Sequence, residues 1–262
     1  MISPATRIAI LALMTVALSA CATTDSTSKT GAERILLRVG VTPNYPPMIF
    51  KQGETMAGVE ADLARRLGQQ LGRPVQFIDL RWDEQIPALL AGRTDIIMSG
   101  MSITEAREVR ISFTDPYFES GLMAAMRVED ASKYNSRESI LNSRASVGVV
   151  ERTTGDVFVQ RNLPNARRIA VSRAADGALE LRQRVIGLFV HDAPSIIWLV
   201  SENEADLVAF RERLNTEFLA WGVRREDVEF LSQVNAALRG WKNDGTLNSV
   251  LRRWLPDRKP PG

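Results

Sequence analysis

The sequence holds one cysteine, Cys21, and one histidine, His191, in 262 residues. A single thiol excludes a disulfide within the chain, and one thiol with one imidazole leaves no ligand spacing for a structural zinc ion. A surplus of one charge is also lacking: 33 basic residues against 31 acidic ones give a formal +2. No basic stretch tracks a phosphate backbone, so nucleic acid is not an expected partner. Neither a glycine-rich phosphate loop nor the spacing of a Ser/His/Asp triad occurs, and no cofactor or metal is expected. The longest apolar run, Ile8 to Leu18 behind Arg7, is too short for the roughly 20 residues that cross a bilayer.

That run has the shape of a secretory leader, ending in the small residues Ser19 and Ala20 before Cys21. Residues 1–20 are therefore read as a signal peptide. The segment Leu18-Ser19-Ala20-Cys21 resembles a bacterial lipobox, which implies lipidation of Cys21 and anchoring to a membrane by acyl chains. Residues 22–33 follow as a polar tract without a large apolar side chain, a tether reaching about 40 Å when extended.

From Arg34 onward the chain alternates short apolar strands with amphipathic helices. Leu36 to Val41 reads as a strand, followed by the turn residues Pro43, Asn44, Pro46 and Pro47. Val59, Leu63, Leu67 and Leu71 recur every four residues, with Glu60 and Asp62 in the first turn and Gly72-Arg73-Pro74 as the stop. Strands are expected at 75–78 and 95–100 around a helix at 83–91, and the alternation resumes at 145–150, 156–162, 168–171, 174–184 and 186–190. Strands apolar on both faces point to buried, mostly parallel sheets. Two such regions, with the strand-like runs 121–128 and 218–223 between and after them, imply two lobes joined by two crossings, the first lobe being discontinuous. The helical end, marked by Val234, Leu238, Trp241, Leu247, Val250 and Trp254, is expected to return to that lobe. The division is 34–122 with 222–256 for lobe 1, 128–215 for lobe 2, and a tail at 257–262.

The motifs Tyr45-Pro46-Pro47, Gly58-Val59-Glu60-Ala61-Asp62-Leu63, Trp82 to Leu89, Asp95 to Arg107, Phe113 to Tyr117, Thr153-Thr154, Asp192-Ala193-Pro194 and Asp244-Gly245-Thr246 occur in order over nearly all of 36–255. Together they resemble the polar amino-acid-binding family of type II periplasmic solute-binding proteins, the extracellular solute-binding proteins of family 3. The resemblance implies an α/β two-lobe fold and a binding component of an ABC importer in the periplasm, monomeric and not an enzyme.

In that resemblance Arg107 clamps the ligand α-carboxylate, a task suited to the planar guanidinium fork. Asp192 takes the α-ammonium, while Ser99, Gly100 and Ser102, with Thr153 and Thr154 at a helix start, supply hydroxyl and backbone contacts. Tyr45 and Trp82 stand where aromatic rings sandwich the ligand side chain. Arg152 replaces the family's usual glycine; if it faces the cleft it favours an anionic ligand. His191 is an alternative to Asp192 in the alignment. The competing reading is an enzyme resembling cyclohexadienyl dehydratase, with Glu151 or His191 as proton donor, and a membrane sensor is an alternative partner.

Overall fold

The computed structural model describes residues 36–255. The leader, Cys21, the tether and the tail at 257–262 lie outside the described residues.

The first sheet grows from β1 (Leu37–Val41), whose side chains are almost all buried. After it come a small antiparallel sheet of β2 (Asn44–Tyr45), β3 (Ile49–Gln52) and β4 (Thr55–Ala57), then helix α1 (Val59–Leu71). The four-residue apolar spacing puts Val59, Leu63 and Leu67 at 0 % exposure on one face of α1. The chain continues through β5 (Val75–Asp79), α2 (Gln85–Leu90), β6 (Ile96–Ile97), α3 (Glu105–Glu108) and β7 (Ser112–Phe113). A 3-10 turn, Trp82–Glu84, occupies the start of the helix expected at 83–91.

β8 (Phe118–Ser120) then leaves for the second sheet, made of β9 (Leu122–Arg127), β10 (Ser146–Val150), β11 (Arg167–Val171), β12 (Leu188–Asp192) and β13 (Leu207–Ala209). Its helices are α4 (Arg137–Leu141), α5 (Thr154–Asn162), α6 (Ala174–Arg182) and α7 (Ala193–Ser201). β14 (Glu217–Leu219) returns to the first sheet, where β15 (Gly222–Val223), α8 (Val228–Asn243) and α9 (Thr246–Trp254) finish the described chain.

Both sheets have five strands, in the orders β5-β1-β6-β15-β7 and β11-β10-β12-β9-β13. In each, three neighbouring strands run parallel, the fourth (β15 or β9) runs against them, and the edge strand (β7 or β13) pairs antiparallel with that fourth strand. The second sheet is covered on both faces: Leu122, Ala124 and Met126 enter one apolar cluster while Met123 and Ala125 enter another, the period-two alternation of a strand between two layers of helix. In the first sheet, Leu37, Val39, Leu63, Ile96, Trp221, Val234, Leu238 and Trp241 share one core, so α8 and α9 do pack back on the chain's first half.

The run 121–128, read as a crossing, forms β9 inside the second sheet, because its residues are apolar on both faces. The link between the sheets is instead the short antiparallel pair β8 and β14, with Glu217 opposite Ser120 and Leu219 opposite Phe118. Just beyond it, a Cβ on Gly121 would lie 2.1 Å from the Asn215 carbonyl oxygen, an approach that only glycine permits.

Candidate functional site

Parallel strands deliver their carboxyl ends, and the polar segments after them, to one rim of a sheet. Here the rims of both sheets meet around a cavity of about 450 Å³, its mouth included. Tyr45, Trp82, Ser99, Gly100, Ser102 and Arg107 line it from the first half, and Thr153, Thr154 and Asp192 from the second. Thr42, Asn44, Val150 and His191 complete the wall.

Arg107 sits in α3, a one-turn helix capped by the Thr104 side chain. Its Nη1 donates to the Ser102 carbonyl at 2.7 Å, and its guanidinium lies 5.2 Å from the centre of the Trp82 ring. Burial draws its pKa down from the arginine value, and the charges of Asp192 and Glu217 oppose that. Trp82 has two roles, since it also packs against the buried Leu89, Ile97, Met101 and Ile111.

Asp192 ends β12 and stands at the N-cap position of α7, its side chain making no capping hydrogen bond. Burial raises its carboxyl pKa to about 6, against the opposing pull of the nearby Tyr45 hydroxyl and Arg107. The Tyr45 hydroxyl, though close enough to Asp192 to act on it, is buried without a partner in hydrogen-bonding geometry, leaving a polar atom in the cavity wall with unspent capacity. His191 is pushed down to about 4 by burial, so it is neutral at pH 7; its Nδ1 accepts from the Asp192 N–H at 2.8 Å, and its ring stands edge-on to Tyr45 at 5.4 Å. Glu151, the other proton donor considered for an enzyme, is exposed and lies 3.5 Å from Arg168.

The small polar residues divide their hydroxyls between scaffold and site. Ser99 Oγ accepts from the Thr42 N–H at 2.9 Å, tying the ends of β6 and β1 together. Thr153 caps α5 and donates to the Val150 carbonyl at 2.7 Å. Gly100 adopts a left-handed φ of 65°, and a Cβ there would sit 2.5 Å from the Tyr45 ring; glycine is required on both counts.

The Gly100 N–H donates to Glu60 Oε1 at 2.6 Å, and Glu60 also accepts from Tyr117 Oη and Trp221 Nε1, each at 2.8 Å. Burial raises this carboxyl to about 7 despite those three donors. A carboxyl held above its unfolded pKa binds its proton more tightly when folded, so its contribution to stability is present below pH 4.5 and is lost as pH rises toward 7. Glu60→Gln is therefore expected to flatten the decline in melting temperature between pH 5 and 8, as measured by calorimetry on the unliganded protein.

Contacts across the cleft describe a closed arrangement. Phe50 of the β2–β4 sheet meets Trp198 of α7 at 5.9 Å. Trp82 Nε1 donates to the Arg152 carbonyl at 3.1 Å, and Arg152 Nη1 lies 2.8 Å from Asp83 Oδ2. Arg152 thus stays 71 % exposed on the outside of the cleft and brings no positive charge to an anionic ligand. Its φ of 62° is the left-handed conformation that glycine takes freely, at a cost of about 1 kcal/mol or more for arginine. Arg152→Gly is expected to leave the unliganded protein at least as stable and to speed ligand release about two- to fivefold, the worth of one exposed ion pair. Stopped-flow dissociation compared with Asp83→Asn tests this, since both variants should be equally fast and insensitive to salt.

The model of the bacterial extracellular solute-binding proteins, family 3, matches residues 37–257. The chain belongs to that family. This solute-binding protein is 28 % identical over 236 residues to the putative ABC transporter arginine-binding protein 2 of Escherichia coli (strain K12), covering 88 % of this chain and 94 % of that one. Its fold is similar to the ancestral amino acid-binding protein AncCDT-1, a precursor of cyclohexadienyl dehydratase, with a TM-score of 0.79, 32 % identity, and 85 % and 96 % of the two chains covered. An ancestral arginine-binding protein bound to arginine gives a TM-score of 0.79 at 29 % identity, covering 85 % and 99 %. Among the described residues of the solute-binding protein no helix is long and apolar enough to cross a membrane.

The sequence carried no signal for the lining residues Asn44 and Val150, nor for Glu217. It lies on the crossing strand β14, with no motif around it, yet its carboxylate touches Ser102 and Thr154 from opposite sides of the cleft. Only its place in the run between the two lobes could have drawn notice.

Proposed function

We propose that this protein captures a free amino acid between two lobes, one built on each five-stranded sheet and joined through β8 and β14, and hands it to the permease of an ABC importer. The observation that carries the reading is the convergence of Arg107 and Asp192, opposite charges from different sheets, on one cavity. Arg107 takes the α-carboxylate through its two parallel N–H groups, and Asp192 takes the α-ammonium. Tyr45 and Trp82 flank the side chain; Ser99, Gly100, Ser102, Thr153 and Thr154 border the carboxylate and ammonium with hydroxyls and backbone groups. Each half-site alone is weak, so the ligand favours the closed state in which both act together. We place the protein in the periplasm as a monomer, held to a membrane by lipidated Cys21.

A thermal-shift screen of L-amino acids, small carboxylates, polyamines and prephenate tests the reading. At one hundred times its Kd a ligand stabilises the folded state by about 2.7 kcal/mol, which is about 5–10 °C for a chain of this size. At least one L-amino acid is expected to give that shift. A flat amino-acid panel, or consumption of prephenate, overturns the proposal.

A further inference from the structure

The crossing strand β14 carries a charged side chain where the two halves of the site meet. Glu217 is 9 % exposed. One of its oxygens, Oε2, accepts from Ser102 Oγ at 2.5 Å and from Thr154 Oγ1 at 3.0 Å. The other, Oε1, accepts from Asn215 Nδ2 at 2.9 Å, and Asn215 is itself fixed because its Oδ1 accepts from the Leu122 N–H at 2.7 Å. Ser102 belongs to the first half of the cavity wall and Thr154 to the second, so one carboxylate oxygen closes a bridge between them. The backbone supports the same junction: Ser102 pairs with Leu219, and the Ile103 N–H donates to the Phe218 carbonyl at 2.8 Å.

We propose that Glu217 is a positioning residue for ligand capture, coupling the hinge to the site by holding the Ser102 and Thr154 hydroxyls on one oxygen when the lobes close. The proposal rests on the amino-acid reading of the cavity. Both hydroxyls spend their protons on Glu217, so toward the cavity their oxygens offer lone pairs. Opening the cleft parts Thr154 from Glu217, because α5 moves with the second sheet while Ser102 stays paired to the crossing strand. Glutamine is a poor substitute: Asn215 already presents its N–H₂ to Oε1, so the new amide N–H₂ must face either another donor or the two hydroxyls, reversing their polarity.

The test measures three quantities on the wild type, Glu217→Gln, Glu217→Ala, Thr154→Val and the double variant Glu217→Ala/Thr154→Val. They are the unliganded melting temperature, Kd for L-arginine, L-histidine, L-glutamine and L-cystine by calorimetry, and the radius of gyration by X-ray scattering with and without those amino acids. For whichever amino acid binds the wild type, both Glu217 variants should raise Kd about ten- to a hundredfold, the range for a lost charge-assisted hydrogen bond. They should remain expanded at amino-acid concentrations that compact the wild type. The double variant should bind little worse than Glu217→Ala alone, because the two residues act through one contact. A purely structural Glu217 would lower the melting temperature and leave Kd and compaction unchanged, which overturns the proposal, as do additive losses in the double variant. If the wild type binds none of the four, the amino-acid reading fails on this panel and scattering without ligand decides for Glu217: a wild type more compact than Glu217→Ala upholds the coupling, and equal radii overturn it.

Discussion

Arg107→Ala is expected to weaken amino-acid binding by two to three orders of magnitude while the unliganded protein melts within a few degrees of the wild type. Truncating one partner of a buried, hydrogen-bonded charge pair costs about 2–5 kcal/mol, much of it from the charge left behind. Here the ligand carboxylate would enter a largely buried wall with no other cation among its lining residues. The free protein loses less, because Arg107 gives up one hydrogen bond to the Ser102 carbonyl and its place over the Trp82 ring. Arg107→Lys should recover only part of the affinity, since an ammonium supplies a point charge in place of a fork. Calorimetric titration with the amino acid that most raises the melting temperature gives the numbers. Binding by Arg107→Ala within threefold of wild type would show that the carboxylate lies elsewhere.

The second large effect is in the pH dependence. In the closed arrangement without ligand, Asp192 is pushed up to about 6, chiefly by burial. An ammonium placed beside it favours the carboxylate and lowers that pKa, so ligand binding releases a proton whenever Asp192 starts protonated. Affinity should then hold steady above pH 7 and fall below pH 6, approaching tenfold for each unit. The stability of the empty protein runs the other way: with the folded pKa above the unfolded value, the contribution of Asp192 is fully present below about 4 and is lost as pH rises through 6. Asp192→Asn is expected to weaken binding at pH 7.5 about thirtyfold or more and to remove most of the slope between pH 7 and 5. Two other groups are distinguished by their ranges. His191 titrates at about 4, below the window, and Glu60 at about 7, so Glu60→Gln serves as the control for any residual slope. A slope unchanged in Asp192→Asn would remove Asp192 from the ammonium site.

The fold was legible because its signals are local and repeated. The stripe Val59, Leu63, Leu67 states a helix with one buried face, and the alternation of such stripes with short apolar strands states sheets covered by helices. The crossing was misplaced because Leu122 to Arg127 is apolar at every position but the last, and a strand buried on both faces carries no mark of which sheet it joins. Each residue singled out for the cavity does line it, since loops that follow parallel strands arrive at one rim by construction. Arg152 departed from that pattern. Its charge was plain in the sequence, but its direction depended on Asp83, 69 residues away.

The sequence by itself determined the alternation of elements and the polar segments at strand ends, which follow from side-chain periodicity and chemistry within short windows, whereas the opposed charges at Arg107 and Asp192 were implied by the family resemblance. Tertiary structure alone decided that Arg152 grips the outside of the cleft, that Glu217 joins the two half-sites, and that Glu60, Asp192 and His191 titrate at about 7, 6 and 4. Those properties come from burial and from partners distant in the chain, such as Ser102 and Glu217, 115 residues apart, and neither burial nor pairing exists until the two sheets have met.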